Sequence, residues 1–437
     1  MKVVILGGGL ASLSLAFFLQ EKDFIDKIDI LEKDIRIGGL CQSFELNKIV
    51  YDIGPHIIFS KDSEILEFLV NLLGENIKKY KRSNKIIHNN TLLQYPFEND
   101  LSKLPKDELD YCVNTFIKNP YSQYSPNNML QFFLKTFGEG ITNLFLRPYN
   151  EKIWKFDPSF LDLQMVERIP RPYDEDILRS AKGETVDGYL HQLYFYYPKN
   201  GGIESIVKEF LLNFNSKTQV HTNQEVIKIS KKGNKFLVSS LDQDYPCDKI
   251  ISTIPIDILT KIYANVPSDI QNASACLKYN SLIIAGVQVK KRPATKDYVY
   301  TLANNQIIFH RVSNLDFLGN KYKVLDRTMY LVEITYRKGD RISGLTDEQL
   351  IDEITRGLQS VKLILSKQDV IDIQIRKFEY SYVLYDLNHR KNVDRVKTFF
   401  QKAGITLHGR FGEFEYLNMD TIVRRSKDLA STFSVSS

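Results

Sequence analysis

Six residues near the start of the chain, Gly7-Gly8-Gly9-Leu10-Ala11-Ser12, have the types and spacing to hold a pyrophosphate. They fit G-x-G-x-x-[G/A/S]: Gly7 makes a tight turn, Gly9 lets backbone N–H groups approach phosphate, and Ser12 packs a helix against a strand. The unpaired N–H groups and positive dipole end of that helix, at Leu10, Ala11 and Ser12, would face the phosphate charge. Glu32 follows about where an acid holds a ribose hydroxyl. The elements that must position these groups are legible around them. Residues 2–6 (KVVIL) read as a buried strand, Leu10–Leu19 as an apolar helix, and Ile28–Glu32 as a second strand. This βαβ unit points to an adenine dinucleotide; a glycine turn in some other α/β fold is the alternative.

Beyond Glu32 the chain runs Lys33-Asp34-Ile35-Arg36-Ile37-Gly38-Gly39-Leu40. Nicotinamide enzymes have no common need of such a loop, whereas FAD proteins of the glutathione-reductase and amine-oxidase type continue from the ribose acid into R-x-G-G. Here the sequence resembles the FAD-dependent amine-oxidase superfamily. The resemblance implies backbone passing close to non-covalent FAD at Gly38 and Gly39, Arg36 near its phosphates, and Lys33 and Leu40 beside it.

Later segments extend the resemblance. Gly54-Pro55-His56-Ile57-Ile58-Phe59-Ser60 is similar to the G-P-H-I-F-H-T segment of UDP-galactopyranose mutases and to the D-x-G-G-H segment of protoporphyrinogen-oxidase-like proteins. It implies that Gly54, Pro55 and His56 border the flavin, with the imidazole near its N5 edge; taken without the family, a His after Gly-Pro reads as a turn residue. Tyr149-Asn150-Glu151-Lys152-Ile153-Trp154 matches a mutase-like Y-x-E-K-x-W helix. Trp154, the single tryptophan, is either an aromatic beside the substrate or a core anchor. Tyr197-Pro198-Lys199-Asn200-Gly201-Gly202 resembles a Y-P-x-G-G segment near the flavin or substrate. Val226 opens a strand that presents backbone to adenine in these folds, and Thr253 ends one that returns to the cofactor. The block from His408 through Gly409 and Arg410 to Asn418-Met419-Asp420 resembles the G-R-x-x-x-x-x-Y-x-N-M-D block of mutase-like flavoproteins, which assigns all five of Gly409, Arg410, Asn418, Met419 and Asp420 to FAD. A solvated, salt-bridging Arg410 is the alternative.

Two departures touch the substrate. Where the mutases hold a diphosphate with two tyrosines and an arginine, this chain carries Phe414, Leu417 and Asn280. Charge-assisted bonds of that kind are worth about 1.5–3 kcal/mol each. Arg147, Arg171 and Arg311 are candidate replacements, and Tyr382 and Tyr385 are candidate substrate walls or core aromatics. His56, Arg311 and Trp154 are the candidate catalytic residues.

The 437 residues, 43% hydrophobic and 25% charged, exclude a disordered chain and make two or three structural units the expectation. A net charge of +5 is too mild to argue for nucleic acid. Cys41, Cys112, Cys247 and Cys276 have no paired spacing, so neither a metal site nor a disulfide scaffold is expected. The triple glycine argues against a signal peptide, and no apolar run reaches a membrane span. We therefore expect a cytoplasmic protein, with peripheral membrane contact and a homodimer left open. The expected fold class is α/β. A Rossmann-like FAD-binding domain, discontinuous over 1–60, 200–280 and 395–437, would carry a mostly helical insertion at 61–199 and a strand-rich substrate domain at 281–394. A long strand-rich stretch is expected over Tyr298–His310, a helix over Thr346–Ile364, and a frayed tail over Ser431–Ser437.

The resemblance implies an FAD enzyme acting on a small molecule. The favoured expectation is a pyranose–furanose mutase of a nucleotide sugar in cell-envelope polysaccharide synthesis, in which reduced flavin N5 attacks the anomeric carbon. The alternative is an oxidoreductase taking hydride from an amine or another apolar substrate. A non-catalytic FAD-binding scaffold is the third reading.

Overall fold

The computed structural model describes residues 1–167, 169, 172–184, 186, 193–292, 295–322 and 326–434. The chain opens as strand β1 (Lys2–Leu6), turns through glycine into helix α1 (Leu10–Leu19), and returns as β2 (Lys27–Leu31). A hairpin of β3 (Ser43–Leu46) and β4 (Ile49–Asp52) leads to α2 (Ser63–Leu73), whose N-terminus Asp62 caps by accepting the Ile65 N–H at 3.2 Å. Next come β5 (Ile77–Lys81), β6 (Asn84–His88) and β7 (Thr91–Gln94), then α3 (Lys106–Ile117), α4 (Met129–Ile141), α5 (Arg147–Trp154) and α6 (Asp174–Ala181). They are followed by β8 (Tyr194–Pro198), α7 (Glu204–Leu212), β9 (Thr218–His221), and a meander of β10 (Val226–Lys232), β11 (Lys235–Ser240) and β12 (Asp244–Cys247). After β13 (Lys249–Ser252), α8 (Ile256–Ile262) and α9 (Ser268–Ala275) come β14 (Lys278–Lys290), β15 (Val299–Thr301), β16 (Arg311–Asn314) and β17 (Arg327–Tyr336). The chain ends with α10 (Asp347–Ser360), β18 (Val370–Leu384), α11 (His389–Ala403), β19 (Ile405–Leu407), α12 (Gly409–Gly412) and α13 (Met419–Thr432).

Two sheets position the site. The first is all parallel, in the order β19-β13-β1-β2-β9. Its central strand is apolar on both faces because both are covered. Val3 and Ile5 enter the core formed with α1, α2, α7 and α13, while Val4 and Leu6 enter the core formed with the β10–β12 meander, α8, α9 and α11. The second sheet has seven strands in the order β18-β14-β17-β16-β15-β6-β7, antiparallel throughout except where β15 meets β6. Helix α10, opened by a Thr346–Gln349 capping box, covers one face with Leu350, Ile354 and Leu358. The fold is thus mixed α/β with a parallel nucleotide-binding-type sheet.

The stretch expected to be mostly helical does carry α3–α6, and it also sends β6 and β7 into the second sheet. Two local expectations are corrected. Only Val299–Thr301 of the expected strand at Tyr298–His310 is a strand, because Asn304 starts a turn, with its side chain accepting the Gln306 N–H at 2.9 Å. The tail expected to fray over Ser431–Ser437 is ordered at its start, where α13 runs through Thr432 and Phe433 is buried in the core around α1; residues 435–437 lie outside the described residues. No helix among the described residues is long and apolar enough to cross a membrane.

Candidate active site between the two sheets

At the end of β1 the backbone needs conformations and clearances that only glycine meets. Gly7 has φ +92°, and a Cβ there would stand 2.8 Å from Thr253 Oγ1 at the end of β13. The Thr253 hydroxyl lies 2.7 Å from the Leu6 carbonyl and 2.8 Å from Ser12 Oγ, which ties α1 to the sheet across the turn. Helix α1 then starts at Gly9 with no side-chain cap and no acid in its first turn, although Leu10, Ala11 and Ser12 are buried. An uncapped, buried helix start leaves N–H donors aimed at whatever sits above it.

Two further segments close on that helix start. Gly38 donates its N–H to the Gly8 carbonyl at 2.8 Å, and Gly39, at φ +54°, stands where a Cβ would come within 3.2 Å of the Gly9 Cα. Gly409, at φ +81°, stands where a Cβ would come within 2.5 Å of the Ala11 Cβ. Side chains at these positions would fill the cradle. At its edge Glu32, buried, accepts the Gly8 N–H at 2.6 Å and the Asp34 N–H at 3.0 Å, and burial pushes its carboxyl above the usual range. Gln224 donates its N–H to the Glu32 carbonyl at 2.8 Å, which brings the start of β10, with Val226, beside the same acid. Lys33 is exposed. Arg36 is engaged away from the cradle: it donates to the Ser43 carbonyl at 2.7 Å and to Glu204 at 2.6 Å, over the Phe44 ring.

Next to the cradle lies a cavity walled by Leu40, Gly54, Pro55, His56, Phe59, Leu282, Arg311, Ser381, Tyr382, Arg410, Tyr416, Asn418, Met419 and Asp420. His56 Nδ1 is buried with no partner among the described residues. Burial, then the charges of Arg410 and Arg311, pull the imidazole down to about 3, so it is neutral near pH 7. Arg311, on β16, makes a bidentate pair with Glu333 of β17 at 2.6 and 2.5 Å, and Glu333 is fully buried. The His56 loop rests on this pair, since a Cβ at Gly54 would come within 3.0 Å of Glu333 Oε2. Arg410 donates to the Leu417 carbonyl at 2.9 and 2.6 Å and to the Ser381 carbonyl at 3.0 Å, so it shapes the C-terminal loop as well as facing the cavity. Asn418 is the N-cap of α13 without a capping bond from its side chain. Met419 receives the Cys41 thiol at 3.7 Å, and Asp420 accepts from Ser60 at 2.6 Å.

Tyr382 and Tyr416 form the aromatic wall, 5.7 Å apart, and Trp154 lies behind them, edge-on to each at 5.8 and 6.0 Å. Trp154 donates to Asn150 at 2.8 Å, which places it as a support of that wall. Tyr385 is not part of the wall: its hydroxyl accepts the Tyr416 N–H at 2.7 Å and braces the loop. Arg147, on α5, is held by Glu151 of the same helix and by Asp157 just beyond its end, and is not brought to the cavity. Arg171 lies outside the described residues. Gly201 and Gly202 serve a buried network, for a Cβ at Gly202 would collide with Ser43 and Asp52. At the three departed positions, Phe414 is fully buried, Leu417 is buried and offers its carbonyl to Arg410, and Asn280 donates to the Ile153 carbonyl at 2.9 Å. The sequence reading missed Arg82, which closes a lysine-rich strand and reads as surface charge; its guanidinium lies over the Phe59 ring at 5.2 Å.

Residues 10–383 match the sequence profile of the family described as flavin containing amine oxidoreductase. The chain belongs to this family. As a flavin amine oxidoreductase it is an FAD enzyme, and the glycine cradle over an uncapped helix start is a physical fit to the pyrophosphate of that cofactor. Among similar proteins, protoporphyrinogen oxidase of Dictyostelium discoideum is 18% identical over 529 aligned positions, covering 100% of this chain and 99% of that protein. dTDP-fucopyranose mutase of Escherichia coli is 25% identical over 267 residues, covering 56% of this chain and 64% of the mutase. A crystal structure of reduced UDP-galactopyranose mutase superimposes with a TM-score of 0.89 at 22% identity, covering 98% of this chain and 94% of that one. This flavin amine oxidoreductase therefore has the fold of that mutase.

Proposed function

We propose that this chain is a flavin-dependent isomerase of a nucleotide sugar, a pyranose–furanose mutase with non-covalent FAD. The observation that carries the reading is the cavity beside the cradle, where the hydrogen-bonding side chains of His56, Arg311, Arg410, Tyr382 and Tyr416 converge. Likeness to two proteins named as sugar mutases supports the same reading.

In this account the first turn of α1 with Gly7, Gly9, Gly38, Gly39 and Gly409 holds the pyrophosphate, Glu32 the ribose, and Val226 and Thr253 border the cofactor. Reduced FAD, when bound, supplies the nucleophile for the sugar's anomeric carbon. The chain's own residues orient and screen. Neutral His56 holds the ring edge without carrying charge, and the Arg311–Glu333 pair fixes the His56 loop. Tyr382 and Tyr416, backed by Trp154, exclude water from the sugar. The full-length match to a protoporphyrinogen oxidase favours a second reading, in which FAD accepts hydride from an apolar substrate.

Turnover decides between them. Dithionite-reduced holoprotein incubated anaerobically with UDP-galactose and dTDP-fucose should give the furanose form, seen by anion-exchange chromatography, with no net consumption of reductant. Oxygen-dependent oxidation of a porphyrinogen or amine with no isomerisation would sink the mutase reading.

A further inference from the structure

Arg82 stands directly after β5 with its backbone held on two sides. Its N–H donates to the Leu193 carbonyl at 2.7 Å, and the carbonyl of Ser83 accepts the Tyr298 N–H at 2.8 Å. The guanidinium lies over Phe59, which walls the His56–Arg311 cavity. Its Nε and Nη2 are buried and meet no hydrogen-bond partner among the described residues, and no carboxylate among them pairs with it. Arg311, its charged neighbour, is by contrast neutralised by Glu333.

The sheet register adds to this. Asn84, Val299 and Ser313 form one cross-strand row, and Ile86, Thr301, Arg311 and Glu333 form the next. Alternation along each strand puts both rows on one face. On that face Asn84 Oδ1 and Ser313 Oγ are also buried without partners among the described residues. A buried guanidinium lacking a counter-charge is unfavourable, and its fork of N–H donors matches two oxygens of a carboxylate or phosphate. Burial lowers the Arg82 pKa, yet an arginine stays charged at neutral pH.

We propose that Arg82 is a specificity-determining residue that binds an oxyanion of the substrate, a carboxylate on the sugar or a phosphate of the nucleotide, through the unpartnered Nε and Nη2 of its guanidinium. The identity of that substrate rests on the nucleotide-sugar reading; the oxyanion site does not.

Wild-type and Arg82→Gln holoprotein are titrated with UDP, UDP-galactose, UDP-galacturonate and inorganic pyrophosphate, with flavin absorbance as the readout. A tenfold or greater weakening in the variant, confined to UDP-galacturonate, assigns a carboxylate. The same loss for UDP and pyrophosphate assigns a phosphate. Arg82→Lys, which keeps the charge but loses the fork, should recover part of the affinity, and it replaces Arg82→Gln if the latter fails to retain FAD. Equal affinities in wild type and variant for every probe overturn the proposal. Binding of pyrophosphate alone, dependent on Arg82, would discard the nucleotide-sugar reading and keep the oxyanion site. A wild-type flavin blind to all four probes overturns both.

Discussion

His56 keeps its place in the cavity as a neutral imidazole. Because burial and two arginines pull it down to about 3, it stays uncharged across the pH range in which an ordinary histidine titrates, about pH 5 to 8. The rate profile of the reduced enzyme should therefore show no histidine limb there, and a limb near pH 6.5 lost in His56→Ala would contradict the placement. Asp52 behaves oppositely. Burial pushes its carboxyl up to about 6, although Ser43, Tyr197 and the Ile203 N–H all donate to it. The native state thus favours a proton that the unfolded chain has already released. The associated stability is fully present below the ordinary carboxylate pKa, about 3.9, and is lost as pH rises through the folded value, an effect on the order of 3 kcal/mol. In Asp52→Asn the side chain cannot ionise, so the difference in Tm between wild type and variant should shift by several degrees between pH 4 and pH 7, measured by calorimetry. Single residues divide sharply in how far sequence exposed them. Gly7, Gly39 and Gly409 were legible because each is a motif position where a left-handed backbone and a close neighbour leave no room for a Cβ. Arg82 was not, because its burial depends on Phe59 and on strands far away in sequence.

At the scale of elements, the site depends on glycine contacts between α12, the 36–40 loop and the start of α1. Gly409→Ala places a Cβ against Ala11 in a left-handed backbone conformation, and it should lower FAD affinity at least tenfold, read as flavin content after dialysis. The β16–β17 pairing carries the other support. Glu333→Gln leaves Arg311 without a full counter-charge and should cost about 3 kcal/mol of stability, seen in denaturant unfolding. The first βαβ unit was readable from apolar runs because both faces of its sheet are covered. The second sheet was only partly readable: β6, which carries β7 beside it, pairs with β15 across nearly half the chain, and no local pattern announces such a partner. For the same reason, Arg147 looked available in sequence, whereas the helix it sits on supplies Glu151 one turn away and Asp157 beyond its end.

Across the whole molecule, a parallel sheet supplies a helix start and a larger, mostly antiparallel sheet supplies charged side chains, with His56 on the loop between them. That division explains why the cofactor was legible in the sequence and the substrate was not. Phosphate binding is written in short contiguous motifs, while the cavity wall gathers Phe59, Arg311, Tyr382 and Tyr416 from separate segments, with Arg82 over Phe59. The most direct test of a redox-neutral flavoenzyme of nucleotide sugars is the fluorescence of the dithionite-reduced holoprotein during an anaerobic titration with UDP. The account predicts a yellow protein whose reduced flavin responds saturably to UDP at micromolar concentrations while remaining reduced; a flavin that ignores UDP and is rapidly reoxidised by air would contradict it.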